Sequence, residues 1–531
     1  MRPRGLPVRP LVAVAGGALA GLSLPPIGWW PMGVVGIAGI AWALRNRTLG
    51  RRLGIGMLAG IGQFAVSLAW AIQFNVAGYV ALSILEAAFV AVACVLVPPG
   101  RGQLPALAGA LTLAEFARES WPFGGLPLGG LVLGQVGGPL GVSARIGGCL
   151  LVMGVTALAG AGLAALVPDG KPATRRRSPL PSLVALALVV VIVVIGALAP
   201  DGASGRTTQL RVALVQGGGQ RGLTQLQVPP SRVFDAAITQ TANVPAGTQL
   251  ILWPEDVVGL ATPLQGSAAA AELAQIARAH DATLVAGVTY PVGSTQFRNE
   301  IVAFSPSGTL VATFEKVHRV PFGEYVPWRS LFKHLANLQD IPRDAIPGHG
   351  SGMIATPAGR FGVLVSYEVF FADRGRSGVR AGGAAILVPT NTSSYSNGQA
   401  PAQEIAASRL QAVEEGRYVL QAAPTGYTAV IDNHGDVRAR TSLSVAATVS
   451  ARIPLLSGDT WYERAGDLPV VLAALALVAG GWAAALSALS GQGQGPDQGQ
   501  GQGQGGSLNP APTSALSPAS RRRRRRTSPS R

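Results

Sequence analysis

Seven apolar stretches fill the first 198 residues, and an eighth stands alone near the C-terminus. They run near Leu11–Leu24, Pro31–Leu44, Leu53–Phe74, Tyr79–Val97, Leu104–Phe116, Ile146–Val167, Leu180–Leu198 and Leu468–Leu489. A helix needs roughly 20 mostly apolar residues to cross a bilayer, and inside lipid every backbone N–H and C=O must find its partner within the protein. The pattern therefore predicts a multi-pass α-helical membrane bundle of about eight spans. The composition agrees: 48% of the residues are hydrophobic, 13% are charged and the mean hydropathy is +0.35, values too apolar for a soluble chain of this size. The first stretch follows Arg2, Arg4 and Arg9 in the manner of a signal peptide. More apolar segments come at once, however, so an uncleaved first span is expected.

The net charge of +16 suggests a nucleic-acid binder until its placement is considered. Asp201 to Glu463 holds about 20 acidic and about 20 basic residues, so the excess sits in short loops and in the tail. Arg45, Arg47, Arg51 and Arg52 follow the second stretch, Arg101 the fourth, and Lys171 with Arg175 to Arg177 the sixth. The loops after the first and third carry no charge. Positive loops face the cytoplasm. This alternation predicts a cytoplasmic N-terminus and tail, and an extracytoplasmic position for whatever follows the seventh span. Nucleic acid is excluded as a partner. The two cysteines, Cys94 and Cys149, both fall in apolar stretches, so no disulfide framework is expected.

From about Thr208 to Ile453 the pattern changes. Short runs rich in Val, Ile and Ala predict strands at Leu210–Val215, Gln249–Trp253, Thr283–Val288, Ile301–Phe304, Gly362–Val365, Ala385–Pro389, Tyr418–Ala422 and Thr428–Ile431. Helical patterns at Ala269–Ala279 and Gln403–Val413 interleave with them. This is an α/β domain able to form a two-sheet sandwich. The expected divisions are a seven-helix bundle over 1–200, the α/β domain over 208–455, a last membrane helix over 466–490, and a tail over 491–531. That tail, of Gly-Gln repeats, Pro/Ser-rich sequence and the run Arg521 to Arg526, cannot bury a core and is expected to be disordered.

Three segments near strand ends carry residues suited to chemistry: Leu252-Trp253-Pro254-Glu255, then Phe314 to Tyr325 (FEKVHRVPFGEY), and Val365-Ser366-Tyr367-Glu368. Each residue alone has an ordinary reading. Glu255 after Pro254 can cap a helix, Lys316 can be a surface charge, His318 is expected to be a structural hydrogen-bonding residue, and Trp253 and Trp328 are expected to pack. Lys316 is one of only three lysines in an arginine-rich chain, and a compact ammonium fits where a guanidinium fork does not. Within the bundle, Glu86 and Glu115 stand out, and Glu115 is spaced to pair with Arg118 at i, i+3. Both are read as structural.

The ordered segments resemble those of the carbon–nitrogen hydrolase (nitrilase) superfamily, which uses a Glu–Lys–Cys triad. The run Lys316 to Pro327 (KVHRVPFGEYVP) is similar to the apolipoprotein N-acyltransferase branch, as are Gln403 to Ile431 and Glu115 to Arg118 followed by Phe123 to Pro127. The likeness extends to about Leu489. It implies a nitrilase-like α-β-β-α sandwich above the bundle, with no cofactor and no metal. By position it makes Glu255 the general base, Lys316 the electrostatic partner and Ser366 the occupant of the nucleophile position. Glu324, Tyr367 and Glu368 match supporting positions.

The implied reaction transfers an acyl chain from a membrane phospholipid, through an acyl-enzyme, to the N-terminal amine of a diacylglyceryl-cysteine apolipoprotein. Its implied place is the bacterial cytoplasmic membrane. Ser366 departs from the pattern: a hydroxyl is far harder to ionise than a thiol, and no other thiol exists in this domain. The alternative is therefore a catalytically silent homologue that binds lipid or lipoprotein, or partners an active enzyme. A third, weaker reading is an amidase acting on another substrate.

Overall fold

The structure, a computed structural model, describes residues 8–168, 178–203, 207–219, 228–332, 338, 341–392 and 398–490. The expectations for Lys171, Arg175 to Arg177 and the tail lie outside those residues.

Helices occupy each apolar stretch of the sequence: α1 (Val8–Leu22), α2 (Pro31–Leu44), α3 (Leu49–Ser67), α4 (Val76–Leu96), α5 (Gln103–Ser120), α6 (Ala144–Leu166) and α7 (Leu180–Leu198). Among the described residues, four helical segments are long and apolar enough to cross a membrane: Val76–Leu96, Pro139–Leu166, Leu180–Leu198 and Leu468–Ala488. The other four helices fall short by length (α1, α2) or by charge. Arg51 and Arg52 open α3, and Glu115, Arg118 and Glu119 close α5.

Small residues let the helices approach closely. A Cβ on Gly60 of α3 would stand 2.5 Å from Ala87 Cα of α4, and one on Gly17 of α1 would collide with the Ala59 carbonyl of α3. One pole of the bundle gathers arginines onto helix ends. Arg45 donates to Val167 O at 2.8 Å, Arg52 donates to Val97 O, and Arg9 reaches Arg45 O at 2.7 Å. Each satisfies carbonyls that a helix C-terminus leaves open.

The sequence predicts a third stretch reaching Phe74, but α3 ends at Ser67 and a 3-10 turn, Ala69–Gln73, follows. The break is tertiary. Gln399 Nε2 takes Val66 O at 2.9 Å, Gln403 Nε2 takes Ser67 O at 2.8 Å, and Trp70 N–H donates to Gln399 Oε1 at 2.9 Å. Side chains 329 to 336 residues away thus hold the backbone groups freed where the helix stops.

The second half of the fold adds strands β1 (Gln209–Gln216), β2 (Leu250–Leu252), β3 (Val258–Gly259), β4 (Thr283–Val292), β5 (Gln296–Phe304), β6 (Leu310–Glu315), β7 (Asp344–Ala345), β8 (Met353–Thr356), β9 (Gly359–Val363), β10 (Ala385–Pro389), β11 (Val419–Ala422), β12 (Ala429–Ile431), β13 (Val437–Arg440) and β14 (Ala447–Pro454). Its helices are α8 (Pro230–Thr241), α9 (Ala268–His280), the short α10 (Arg329–Phe332), α11 (Ala372–Arg380), α12 (Gln399–Glu415) and α13 (Trp461–Ala465), followed by the apolar α14 (Leu468–Ser490).

One sheet runs β14-β1-β2-β4-β5-β6, with β3 beside β4 and β7 beside β5; the other runs β13-β12-β11-β10-β9-β8. Leu214, Leu252, Val285 and Phe314 of the first meet Val363, Leu387 and Leu420 of the second in one buried core. Helices α8 and α9 cover the outer face of the first sheet. Helices α11 and α12 cover the second, and their apolar residues merge with the core of the bundle. Helix α12 lies between sheet and bundle and is buried along nearly its whole length. Its polar residues, Gln403, Glu404, Gln411 and Glu414 among them, are therefore inside the protein.

Candidate active site

The central strands β1, β2 and β4 are mutually parallel, and β5 and β6 follow as antiparallel hairpins, so β2, β4 and β6 end at the same edge of the first sheet. Glu255 follows β2 and Lys316 follows β6. Strands β9, β10 and β11 are parallel in the second sheet, and Ser366 stands just past β9. The carboxyl ends of parallel strands are where open α/β folds place ligands.

Glu255 and Lys316 lie together and buried, at 3% and 1% exposure. Lys316 Nζ donates to Glu255 Oε1 at 2.9 Å and to Glu324 Oε1 at 2.7 Å. Asn299 Nδ2 touches the same two oxygens, at 2.8 and 3.2 Å. Glu324 Oε2 accepts the Val320 N–H at 2.8 Å, which folds the segment after Lys316 back over the site. Burial alone would lower the Lys316 pKa, but Glu255 and Glu324 outweigh it and hold the ammonium upward, so it stays charged. Burial pushes the Glu324 carboxyl up against the opposing pull of Lys316. The backbone at Glu255 is tightly sited as well: a Cβ on Gly287 of β4 would lie 2.5 Å from Glu255 Cα.

Glu368 ties the Ser366 turn to the lysine segment. Its Oε1 accepts the N–H groups of Val317 at 2.9 Å and His318 at 3.0 Å, and its Oε2 accepts that of Val365 at 2.8 Å. The residue before Ser366 and the two residues after Lys316 thus share one fully buried carboxylate. Ser366 is half-buried and has φ of +50°, a left-handed backbone uncommon outside glycine. Such outliers persist where the surroundings over-determine them. Tyr367 is buried and donates its hydroxyl to Gly125 O at 2.9 Å, in the loop between α5 and α6. A small cavity opens there between domain and bundle, lined by Phe123, Gly124, Val317, His318, Arg319 and Tyr325, with Tyr367 in its wall.

The structure therefore brings all six predicted residues to one region. His318, expected to be a structural hydrogen-bonding residue, instead packs: its ring lies on Phe371 at 4.1 Å, its buried Nδ1 makes no hydrogen bond among the described residues, and burial holds its pKa down. Trp253 is fully buried and donates to Thr241 Oγ1 at 2.9 Å. Trp328 is 64% exposed and lies edge-on to Phe123 at 5.2 Å.

Sequence reasoning missed two neighbours. Asn299 lies in a strand read as starting only at Ile301. Glu404 falls within the helical pattern at Gln403–Val413 with no role assigned to it; it is buried, accepts from Thr390 and from Gln421 at 3.4 Å, and burial pushes its pKa up to about 8, with Glu255 adding to the push. A lone carboxylate between Gln399-Ala400-Pro401-Ala402-Gln403 and Ile405-Ala406-Ala407 was the available signal.

Residues 211–462 match the carbon-nitrogen hydrolase family, and residues 16–162 match the apolipoprotein N-acyltransferase N-terminal domain. The chain is 32% identical over 503 residues to the apolipoprotein N-acyltransferase of Mycolicibacterium smegmatis, covering 88% of this chain and 83% of that one. It is 28% identical to those of Allorhizobium ampelinum (84% and 90% covered) and Brucella melitensis (89% and 94%). Saccharomyces cerevisiae Nit3, a member of branch 10 of the nitrilase superfamily, is 21% identical, with 48% of this chain and 93% of that chain covered and a TM-score of 0.36. The match over residues 211–462 puts the α/β half in the carbon–nitrogen hydrolase class. The chain as a whole is a member of the apolipoprotein N-acyltransferase family, whose members are acyltransferase enzymes of the membrane.

Proposed function

We propose that this protein moves an acyl chain from a membrane phospholipid to the α-amine of a diacylglyceryl-cysteine apolipoprotein, with Ser366 as nucleophile. Glu255 takes the Ser366 hydroxyl proton as Oγ attacks the phospholipid ester carbonyl. Negative charge grows on the carbonyl oxygen beside the Lys316 ammonium, which its two carboxylate partners hold in place. The ester bond to the glycerol breaks, and Glu255 returns the proton to the departing lysophospholipid. The apolipoprotein amine then attacks the seryl ester, giving up its proton to Glu255 as the amide forms. Glu255 protonates Ser366 Oγ as it leaves. This is covalent catalysis in two half-reactions.

The observation that carries the reading is the Glu368 carboxylate. It binds backbone on both sides of the site, next to Ser366 and next to Lys316, while Lys316 binds Glu255. A buried ammonium held by one buried and one partly buried carboxylate is costly to retain without use, which supports an enzyme over a silent homologue. All eight apolar helices are taken to cross the membrane, as a bundle over 1–200 and a last helix over 466–490. The arginine pole faces the cytoplasm and the domain over 208–455 lies outside.

The test supplies purified protein with phospholipid and a diacylglyceryl peptide and measures N-acylated peptide. The wild type is expected to give product and an acyl-ester at Ser366, and Ser366→Ala neither. Product from Ser366→Cys alone would mark an intact site with a silent serine. Equal product from the wild type and Ser366→Ala would reject serine catalysis. Labelling of engineered surface cysteines in intact cells tests the sidedness.

A further inference from the structure

The reaction described above uses nothing below the loop between α5 and α6, yet a dense buried polar cluster lies there. Arg118, 2% exposed, donates Nε to Glu86 Oε2 at 2.8 Å and Nη1 to Glu115 Oε1 at 2.8 Å. Its Nη2 donates to two loop carbonyls, Leu126 O at 3.2 Å and Leu128 O at 2.5 Å. Leu126 N–H returns a bond to Arg118 O at 2.7 Å, and Phe64 lies under the guanidinium at 5.1 Å. One cation against two carboxylates, inside apolar helices, is expensive where plain packing would serve.

The loop it holds is a strained one. Phe123, Gly124 and Gly125 are three consecutive left-handed residues, with φ of +60°, +88° and +110°. A Cβ at Gly125 would collide with the Glu119 carbonyl, so the chain is pressed directly onto the end of α5. The loop presents two carbonyls to the upper domain: Gly125 O accepts Tyr367 at 2.9 Å, and Phe123 O accepts Tyr325 at 3.3 Å. Tyr367 is the residue after Ser366.

We infer that Arg118 is a positioning residue for acyl transfer: clamped by Glu86 and Glu115, it fixes the 121–128 loop so that Gly125 O holds Tyr367, and through it the Ser366 turn, against the bundle. This rests on the function proposed above. Guanidinium is the group the site needs, because four acceptors in separate directions are met from one planar fork; the three N–H groups of a lysine, radiating from one atom, cannot reach all of them.

The test compares wild type, Arg118→Lys, Tyr367→Phe, the double variant and Glu86→Gln in full-length detergent-solubilised protein. Single-turnover formation of the acyl-enzyme from a fluorescent phospholipid is followed, with thermal unfolding as a check on folding. Arg52→Lys, at the opposite pole, is the control for loss of any buried arginine. Arg118→Lys is expected to slow acylation about 10- to 100-fold with KM nearly unchanged, the scale of a small misplacement of reacting groups. The double variant is expected to be no slower than Tyr367→Phe, because both changes break one linkage. Hydrogen exchange is expected to rise in 365–371 as well as 121–128.

Multiplicative rate losses, or exchange that rises in 121–128 alone, would overturn the inference, as would a rate unchanged from wild type. If Arg118→Lys does not fold, Glu86→Gln, nearly isosteric, carries the same expectations. Inactivity of the wild type itself would instead defeat the proposed function.

Discussion

Replacing Glu368 by Gln tests the central geometric claim with an almost unchanged shape. The carboxylate accepts three backbone N–H groups, two on Oε1 and one on Oε2. A glutamine has one acceptor oxygen and an NH2. If the oxygen faces Val317 and His318, the NH2 meets the Val365 N–H donor to donor; if it faces Val365, two donors are left facing the NH2. At least one buried N–H loses its partner in either case, and the remaining bonds lose their charge assistance. An unsatisfied buried group costs roughly 1–3 kcal/mol, and the loss of charge assistance adds to that.

We therefore expect Glu368→Gln to lower stability by about 2–4 kcal/mol. Because the broken bonds join the Ser366 turn to the lysine segment, acylation should slow as well. About 2 kcal/mol of lost positioning corresponds to a rate falling roughly 30-fold. Denaturant unfolding in detergent measures the first quantity, and the single-turnover acylation rate measures the second. Glu368→Asp keeps the charge but is one methylene too short to span both segments, and it should lose rate too. A Glu368→Gln protein with wild-type stability and wild-type acylation would refute the view that this carboxylate assembles the site.

Other outcomes follow from the same geometry. Asn299→Ala removes the amide that bridges Glu255 and Glu324, so kcat should fall by about tenfold, the scale of one buried hydrogen bond to a charged group, with KM little changed in steady-state assays. Gly287→Ala sets a Cβ 2.5 Å from Glu255 Cα, and loss of stability and activity together is expected from thermal unfolding and turnover. Glu404 is held protonated up to about pH 8, while an unfolded Glu ionises near 4.3. From about pH 4 to pH 8 the unfolded state thus binds fewer protons than the folded one, and stability contributed by this group falls as pH rises through that window. Glu404→Gln removes the titration, so its unfolding free energy should vary less steeply with pH than that of the wild type; identical pH profiles would count against a neutral Glu404.

The catalytic positions were legible through the resemblance of three ordered segments to the carbon–nitrogen hydrolases; local pattern alone gives each residue an ordinary reading. Pro254-Glu255 and Ser366-Tyr367-Glu368 each follow an apolar run that reads as a strand. The hydrogen-bonding network around them was not legible. Asn299 has no local signature of its contacts with Glu255 and Glu324, because those carboxylates arrive from β2 and from the segment after β6. The strand that delivers Lys316, Leu310–Glu315, is absent from the sequence reading although Val311, Thr313 and Phe314 favour strands; it is a largely exposed strand at the sheet edge. Glu115 and Arg118 were recognisable as a pair from their spacing, but Glu86, from another helix, was not visible as the third member.

The sequence by itself determined the apolar helices, the asymmetry of positive charge between their ends, and the alternation of strands and helices in the second half. These follow from the hydration cost of side chains and backbone, which acts residue by residue. Tertiary structure alone decided where α3 stops, that α12 is buried on all its faces, and how Glu255, Lys316 and Ser366 come to one region. Those outcomes depend on hydrogen bonds between groups tens to hundreds of positions apart, whose partners exist only once both sheets and the bundle have closed around them.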